Sequence, residues 1–134
     1  MSAVAKGSFT VEMKPQAEPN TAEGVSLGRM SLDKRFEGDL AATGKGEMLT
    51  ALTQIKGSAG YVAIERVSGT LHGRRGTFIL QHSATMARGL PHQTITVVPD
   101  SGTDELAGLA GTMAIIITDG RHAYDFEYTL VDGA

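Results

Sequence analysis

The segment from Tyr61 to His82 is the feature that most limits what this chain can fold into. It holds two runs of alternating apolar and polar residues, joined by the turn-forming sequence His72-Gly-Arg-Arg75. A period of two is typical of β-strands with one buried face. Glycine at the first central position of a two-residue loop favours a type II′ turn, so the sequence predicts a β-hairpin with Gly73-Arg74 at its tip.

This tip determines which residues lie opposite each other on the two strands. On one face, the predicted pairs are Gly69 with Phe78, Val67 with Leu80, Glu65 with His82, Ala63 with Ala84, and Tyr61 with Met86. A carboxylate and an imidazole that face each other among apolar side chains can share a proton. The alternative tip, Arg74-Arg75, would put His82 opposite Val67 and separate the pair.

A second hairpin is predicted near the end of the chain. Met113–Thr118 and His122–Leu130 flank Asp119-Gly120, a dipeptide that favours a type I′ turn. The predicted pairs are Ile117 with His122, Ile115 with Tyr124, Met113 with Phe126, and Gly111 with Tyr128. Further strands are predicted for residues 7–14, 24–36, 38–44, 46–54 and 93–98. In the second of these, a bulge at Gly28 would account for a change of apolar face.

These strands predict an all-β protein, folded as a single small antiparallel β-barrel over residues 1–134 with little helix. The length of 134 residues suits one domain, and 17 glycines with 5% aromatic residues suit many tight turns. A closed barrel is favoured over an open sheet because it leaves no edges to protect. Residues 1–6 are predicted to be a flexible N-terminus, and residues 15–23 a mobile loop.

Composition excludes several classes of function. The formal net charge of −3 and the lack of a basic stripe predict no nucleic-acid partner. The absence of cysteine excludes thiolate and Cys-metal chemistry, and the four histidines lack metal-ligand spacing, so we predict no metal site and no cofactor. The sequence shows neither an N-terminal targeting segment nor an apolar run long enough for a membrane-spanning helix, and this predicts a cytoplasmic protein without a membrane partner.

Five segments carry a resemblance to a known family. They are Arg35–Leu40, Gly57–Gly69, Leu71–His82, Val97–Gly111 and His122–Tyr128. In this order, covering most of the chain from about Gly7 onward, they resemble the bacterial domain-of-unknown-function 3224 family. The resemblance implies a fold similar to the allene oxide cyclase barrel and assigns no activity. Plant cyclases with that fold close an unsaturated fatty-acid epoxide in an apolar cavity, and related bacterial barrels shape polyketide cyclisations.

The candidate catalytic residues are Glu65, as a general base or as a negative group that steadies a developing cation, and His82 as its proton partner. The alternative is a buried structural ion pair, or a pair that faces solvent outside the barrel. The candidate ligand-binding residues are Tyr61, Arg29, Phe78, Tyr124 and Tyr128. Of these, Arg29 would enter the barrel if the bulge at Gly28 exists, and would there oppose a substrate carboxylate.

The expected function is binding of a small apolar or amphipathic ligand in the barrel lumen, with isomerisation or cyclisation at Glu65 as the reaction. The alternatives are a carrier that performs no chemistry, and a self-associating interaction module with a filled core. A homo-oligomer is also expected, because barrels of this kind often associate. The aromatic face of the final strand would form a ligand pocket if it lines the lumen, or an oligomer interface if it packs outward.

Overall fold

The alternating segments form nine β-strands in the computed structural model, which describes residues 2–131. The strands are β1 (Ser2–Pro15), β2 (Asn20–Ala22), β3 (Val25–Gly38), β4 (Leu40–Leu52), β5 (Ala59–Leu71), β6 (Arg74–Ala87), β7 (Leu90–Val97), β8 (Ala110–Thr118) and β9 (Arg121–Thr129). A single turn of 3₁₀ helix at Asp104–Leu106 lies between β7 and β8.

Pairing between the first and third strands closes the sheet. Neighbouring strands run antiparallel in the order β1-β9-β8-β7-β6-β5-β4-β3-β2, and β1 also pairs with β3 from Gly7↔Gly38 to Pro15↔Met30. The barrel therefore contains β1 and β3 to β9, while β2 extends the sheet outside it as a short strand on β3. The predicted all-β antiparallel barrel is confirmed.

The central hairpin turns one residue earlier than predicted. Its tip is His72-Gly73, with Leu71 paired to Arg74, so the tip at Gly73-Arg74 is wrong, and so is the alternative at Arg74-Arg75. Both central residues have positive φ, 47° at His72 and 80° at Gly73, which defines a type I′ turn. Histidine is among the residues enriched at positive φ, and glycine adopts it freely.

This shift of the tip moves every predicted cross-strand pair by two residues. Glu65 lies opposite Leu80, and His82 lies opposite Ala63. Because side chains alternate with a period of two, the shift keeps Glu65 and His82 on the same face of the sheet. They become diagonal neighbours, which long side chains can still bridge.

The final hairpin has the predicted register. Its turn at Asp119-Gly120 has φ values of 51° and 77°, and all four predicted pairs are present. The same backbone conformation occurs at the two-residue turns Glu23-Gly24 and Arg88-Gly89. The recurring signal for a hairpin in this chain is therefore glycine in the second central position of the turn.

The predicted bulge at Gly28 is absent. The β3–β4 ladder continues through Gly28↔Thr50 and Arg29↔Leu49 without an extra residue, so Arg29 lies on the outer face. The apolar residues that suggested a bulge lie on both faces, and Leu27 is 54% exposed on the outside. The two strands predicted for residues 38–44 and 46–54 are one strand, β4.

At the N-terminus, the first strand begins at Ser2 rather than at Gly7, because residues 2–9 pair with β9. The short strand β2 lies within the predicted loop at residues 15–23. The mobility expected for residues 2–6 and 15–23 stays a prediction, and Met1 lies outside the described residues.

One end of the barrel is filled with side chains and the other is open. At the packed end, Leu40, Leu71, Phe78 and Phe126 face inward and are at most 2% exposed. Leu106 and Leu109, in the segment that follows β7, are buried in the same hydrophobic core. At the other end, residues of the same inward-facing register stay exposed, with Met13 at 48%, Met86 at 43% and Ile117 at 64%. We call this open half the cup. It is lined by Val11, Met13, Met30, Met48, Tyr61, Met86, Ile115 and Ile117.

Because the barrel closes tightly at Gly7, we expect one added methyl group at this position to lower the stability of the protein. A Cβ at Gly7 would overlap the Glu37 carbonyl oxygen and lie 2.5 Å from the Tyr124 hydroxyl. We expect Gly7→Ala to lower the free energy of unfolding by about 1–3 kcal/mol, the usual cost of overpacking, measured by urea denaturation. The control is Gly60→Ala, where the nearest atom would lie 3.6 Å away. If both variants unfold alike, close packing at Gly7 does not limit closure.

Candidate functional site

Three ionisable side chains meet inside the barrel, where the packed end adjoins the cup. Lys34 extends from β3, Glu65 from β5 and His82 from β6, and they are 6%, 0% and 2% exposed. The Lys34 ammonium donates a hydrogen bond to Glu65 Oε1 at 3.0 Å, and His82 Nε2 lies 2.7 Å from the same oxygen. The contact predicted between Glu65 and His82 is therefore present, although the predicted register is wrong.

Glycines on the neighbouring strand make room for the carboxylate. A Cβ at Gly44 would lie 2.7 Å from Glu65 Oε2, and a Cβ at Gly46 would lie 2.6 Å from the Glu65 Cα. Oε2 is buried and has no hydrogen-bond partner among the described residues. Small residues on β4 thus allow the carboxylate to enter the barrel, and both of its neighbours, Lys34 and His82, bond to Oε1.

The cluster keeps Glu65 ionised. Burial acts to raise the pKa of this carboxyl group, but the hydrogen bond from His82 and the positive charge of Lys34 outweigh it. The pKa of Glu65 consequently lies below its ordinary value of 4.5. A carboxylate with a lowered pKa is a weaker base, so its direct effect is to hold the two groups that bond to it.

Lys34 is the member of the cluster that sequence reasoning missed. Its ammonium lies 5.1 Å from the centre of the Phe9 ring and 5.9 Å from that of Phe36, within the range of cation–π attraction. The signal was present, because Leu32, Lys34 and Phe36 alternate in one strand and therefore share a face. A lysine between two apolar residues at this spacing indicates an inward-facing cation.

Above the cluster, the polar groups of the cup are donors or neutral groups. Tyr61 is half-buried with its ring centre 6.5 Å from that of His82, and burial raises the pKa of its hydroxyl, which bonds to the Gln93 side chain. The ring of His122 lies 5.2 Å from that of Phe9. Within the strands of residues 2–131, Glu65 is the one carboxylate in the inward-facing register. The carboxylates of the neighbouring strands face outward, and include Glu12, Asp33, Glu47 and Asp125.

The other predicted ligand-binding residues lie away from this cluster. Phe78 stacks on Phe126 in the packed end, with ring centres 5.7 Å apart. Tyr124 is bound through its hydroxyl to the backbone of Glu37 and Leu40. Tyr128 lies beside them at the same end, 8% exposed. Of the predicted ligand-binding residues that face into the barrel, only Tyr61 lies beside Glu65 and His82.

Arg29 lies on the outer face rather than in the lumen, because the bulge that would have turned it inward is absent. Its Nε lies 3.0 Å from Glu47 Oε1. The two residues border an open depression of about 740 Å³ over β3 to β6. Its other walls include the half-exposed residues Leu49, Val62 and Ile64, and they also include Ala63, Gln81, His82 and Ser83. An apolar outer patch of this kind is a location for the predicted self-association, which stays a prediction.

No group of three or more histidine or acidic side chains is arranged to hold a metal ion within residues 2–131. In the same part of the chain, no helix has the length and apolar character needed to cross a membrane.

Comparison with known proteins identifies relatives but no activity. A family model described as a protein of unknown function, DUF3224, matches residues 5–128. A crystal structure from Shewanella oneidensis MR-1, described as a protein with unknown function from the DUF3224 family, is 48% identical to this chain. The match covers 99% of this chain and 100% of that one, with a TM-score of 0.94. No functionally curated protein matches the chain significantly.

The buried cluster predicts a specific pattern of stability. Glu65→Gln leaves the Lys34 cation buried without its counter-ion, so we expect the free energy of unfolding to fall by about 3–5 kcal/mol. The double variant Lys34→Met with Glu65→Gln removes both charges and should recover most of that loss. Urea denaturation of the two variants measures the difference, and equal stabilities would contradict a buried ion pair.

The same cluster predicts a pH dependence of stability. The pKa of Glu65 is lower in the folded protein than its ordinary value of 4.5, so folding is stabilised above that pH. This stabilisation is lost as the pH falls through the lowered pKa of the folded state. In urea denaturation below pH 4.5, the wild type should lose stability more steeply than the double variant.

Proposed function

Because the chain belongs to the DUF3224 family, which is described only as having unknown function, we propose a function from the geometry of the barrel: it binds a small amphipathic molecule in the cup. The observation that carries this proposal is the exposure of inward-facing apolar side chains at one end. Met13, Met86 and Ile117 are 43–64% exposed, whereas the inward-facing residues of the packed end are almost fully buried. A ligand would remove this apolar surface from water, which is favourable by about 25 cal/mol per Å².

The composition of the cup suits ligands of varied shape. Four methionines, Met13, Met30, Met48 and Met86, lie in its inward-facing register. Methionine is unbranched and polarisable, so it adapts to irregular apolar groups. These side chains would contact the apolar part of the ligand.

The floor of the cup selects the polar part. Lys34 and His82 retain slight exposure, while Glu65 has none, so a ligand would meet the cation and the imidazole rather than the carboxylate. Tyr61 adds a phenol beside them. Since Lys34 is a cation and the Tyr61 hydroxyl can donate a hydrogen bond, the favoured ligand has an acidic or hydrogen-bond-accepting head group. Glu65 acts as a positioning residue that holds Lys34 and His82 in place.

A second candidate function, cofactor-independent isomerisation, is favoured by the bond between His82 and Glu65. With Nε2–H donating to the carboxylate, the Nδ1 of His82 is the ring nitrogen that accepts a proton. His82 would take a proton from a carbon next to a carbonyl group and return it to another carbon of the same molecule. Tyr61 would donate a hydrogen bond to the enolate oxygen.

We expect the purified protein to bind decanoate more tightly than decanol, and decanol more tightly than decyltrimethylammonium, in isothermal titration calorimetry. The three probes have the same alkyl chain, so the order of their affinities depends on how each head group interacts with the charge at the floor of the cup. Lys34→Met should remove most of the preference for decanoate over decanol. Saturable binding that favours the cationic amphiphile, or no binding of any of the three, would overturn the proposal.

Two adjacent residues test whether binding occurs in the cup. Ile117→Glu adds a carboxylate to the inward-facing register, and we expect it to weaken decanoate binding at least about tenfold, or 1.4 kcal/mol. Ile116→Glu is the matched control, because that side chain is 43% exposed on the outer face. Equal effects of the two substitutions would place the amphiphile outside the cup.

Isomerisation is tested with cyclohex-3-en-1-one, whose conversion to the conjugated enone is followed by ultraviolet absorbance. We expect the protein to accelerate this proton shift and His82→Asn to lower the rate about a hundredfold, since general bases contribute at least this much. His92→Asn, which changes an exposed histidine on β7, should have no effect. A rate no higher than that of free imidazole would contradict catalysis and leave amphiphile binding intact.

A further inference from the structure

A second group of ionisable residues lies at the packed end, away from the cup. His72 is at the tip of the β5–β6 turn, Asp39 joins β3 to β4, and Tyr128 is on β9. His72 Nδ1 forms a short hydrogen bond with the Tyr128 hydroxyl. The opposite ring nitrogen, Nε2, lies 3.5 Å from Asp39 Oδ2. A carboxylate, an imidazole and a hydroxyl therefore follow one another in the order in which such groups activate a nucleophile.

The two buried tyrosines of this end differ in their partners. The Tyr124 hydroxyl accepts a hydrogen bond from the Leu40 amide and lies 2.9 Å from the Glu37 carbonyl oxygen, so the backbone satisfies it. The Tyr128 hydroxyl instead bonds to an imidazole, which can take its proton. Tyr128 is also more exposed, at 8% against 1% for Tyr124. Only Tyr128 thus combines a base with access to solvent.

We propose that Tyr128 is an activated phenol that accepts acyl groups from small activated esters, with His72 as its base and Asp39 as the residue that orients the imidazole. The phenol oxygen attacks the ester carbonyl as His72 removes the hydroxyl proton, forming an O-acyl bond. The carbonyl then expels the alcohol portion of the ester, which takes the proton from His72. Water hydrolyses the acyl-tyrosine, with His72 again the base, and releases the acid and the free phenol.

The surroundings of the hydroxyl explain why it needs a base. Burial raises the pKa of Tyr128, and the nearby Asp39 carboxylate acts in the same direction, while the positive charge of Arg74 opposes them. The phenol therefore keeps its proton at neutral pH unless His72 accepts it. The side chain of His72 is 38% exposed and Tyr128 is 8% exposed, so an ester would have to approach the hydroxyl from the side of His72.

The test uses p-nitrophenyl acetate with the full-length protein. We expect release of p-nitrophenolate and an acetyl group on Tyr128, located by peptide mass spectrometry. Tyr128→Phe keeps the ring and should abolish that adduct. His72→Asn suits the turn because asparagine tolerates positive φ, and should slow acetylation of Tyr128 at least about tenfold. His92→Asn is the matched control and should leave the rate unchanged.

A pH profile separates a base from a merely structural histidine. The wild-type rate should rise with pH along one ionisation, and this dependence should disappear in His72→Asn. If circular dichroism shows that the His72→Asn variant is unfolded, Asp39→Asn is used instead, and we expect it to slow the acetylation of Tyr128. Acetylation confined to lysines, or acetylation of Tyr128 at the wild-type rate in the variants, would overturn the proposal. Neither result would affect amphiphile binding in the cup.

Discussion

The pairing of β1 with both β9 and β3 is the constraint on which the rest of the structure depends. Without the pairing to β3, β1 would be one edge of an open sheet, and the part of β3 beyond β2 would be unpaired on its other side, so that inner-face residues would meet water. Gly7 permits the closure, since the Glu37 carbonyl oxygen and the Tyr124 hydroxyl occupy the space that its side chain would need. Closure then brings Phe9 against Phe36 and over the Lys34 ammonium.

Closure of the barrel buries three ionisable side chains, Lys34, Glu65 and His82, and buried charges must be paired. A lone lysine or carboxylate in the interior would be strongly unfavourable, so each needs the other. Lys34 and His82 both bond to one carboxylate oxygen, and glycines on β4 make space for that carboxylate. The cluster joins β3, β5 and β6 inside the barrel. Its groups consequently hold one another in position, as the proposed preformed binding site requires.

Sequence reasoning was reliable where local chemistry determines structure. Asp119-Gly120 gave a correct register because that dipeptide strongly favours one turn type. His72-Gly73 forms the same type of turn, with glycine in the second central position. The prediction placed Gly73 in the first central position of a type II′ turn, and the predicted register of β5 and β6 was therefore wrong by two residues. The contact between Glu65 and His82 survived, since a shift of two preserves the face. The predictions for the site were wrong where tertiary structure decides. Lys34 gains its counter-ion Glu65 only through the pairing of β3, β4 and β5, and only the continuous β3–β4 ladder shows that Arg29 points outward.

The distribution of charge across the barrel wall would give the cup the selectivity that we propose. In the strands of residues 2–131, all acidic side chains except Glu65 face outward. The charge of Glu65 is neutralised by Lys34. An acidic head group at the floor would therefore meet donors, with the outward carboxylates separated from it by the wall and screened by solvent. A cationic head group would find its only nearby carboxylate fully buried behind Lys34 and His82. A protein of net negative charge can in this way present an interior that favours anions.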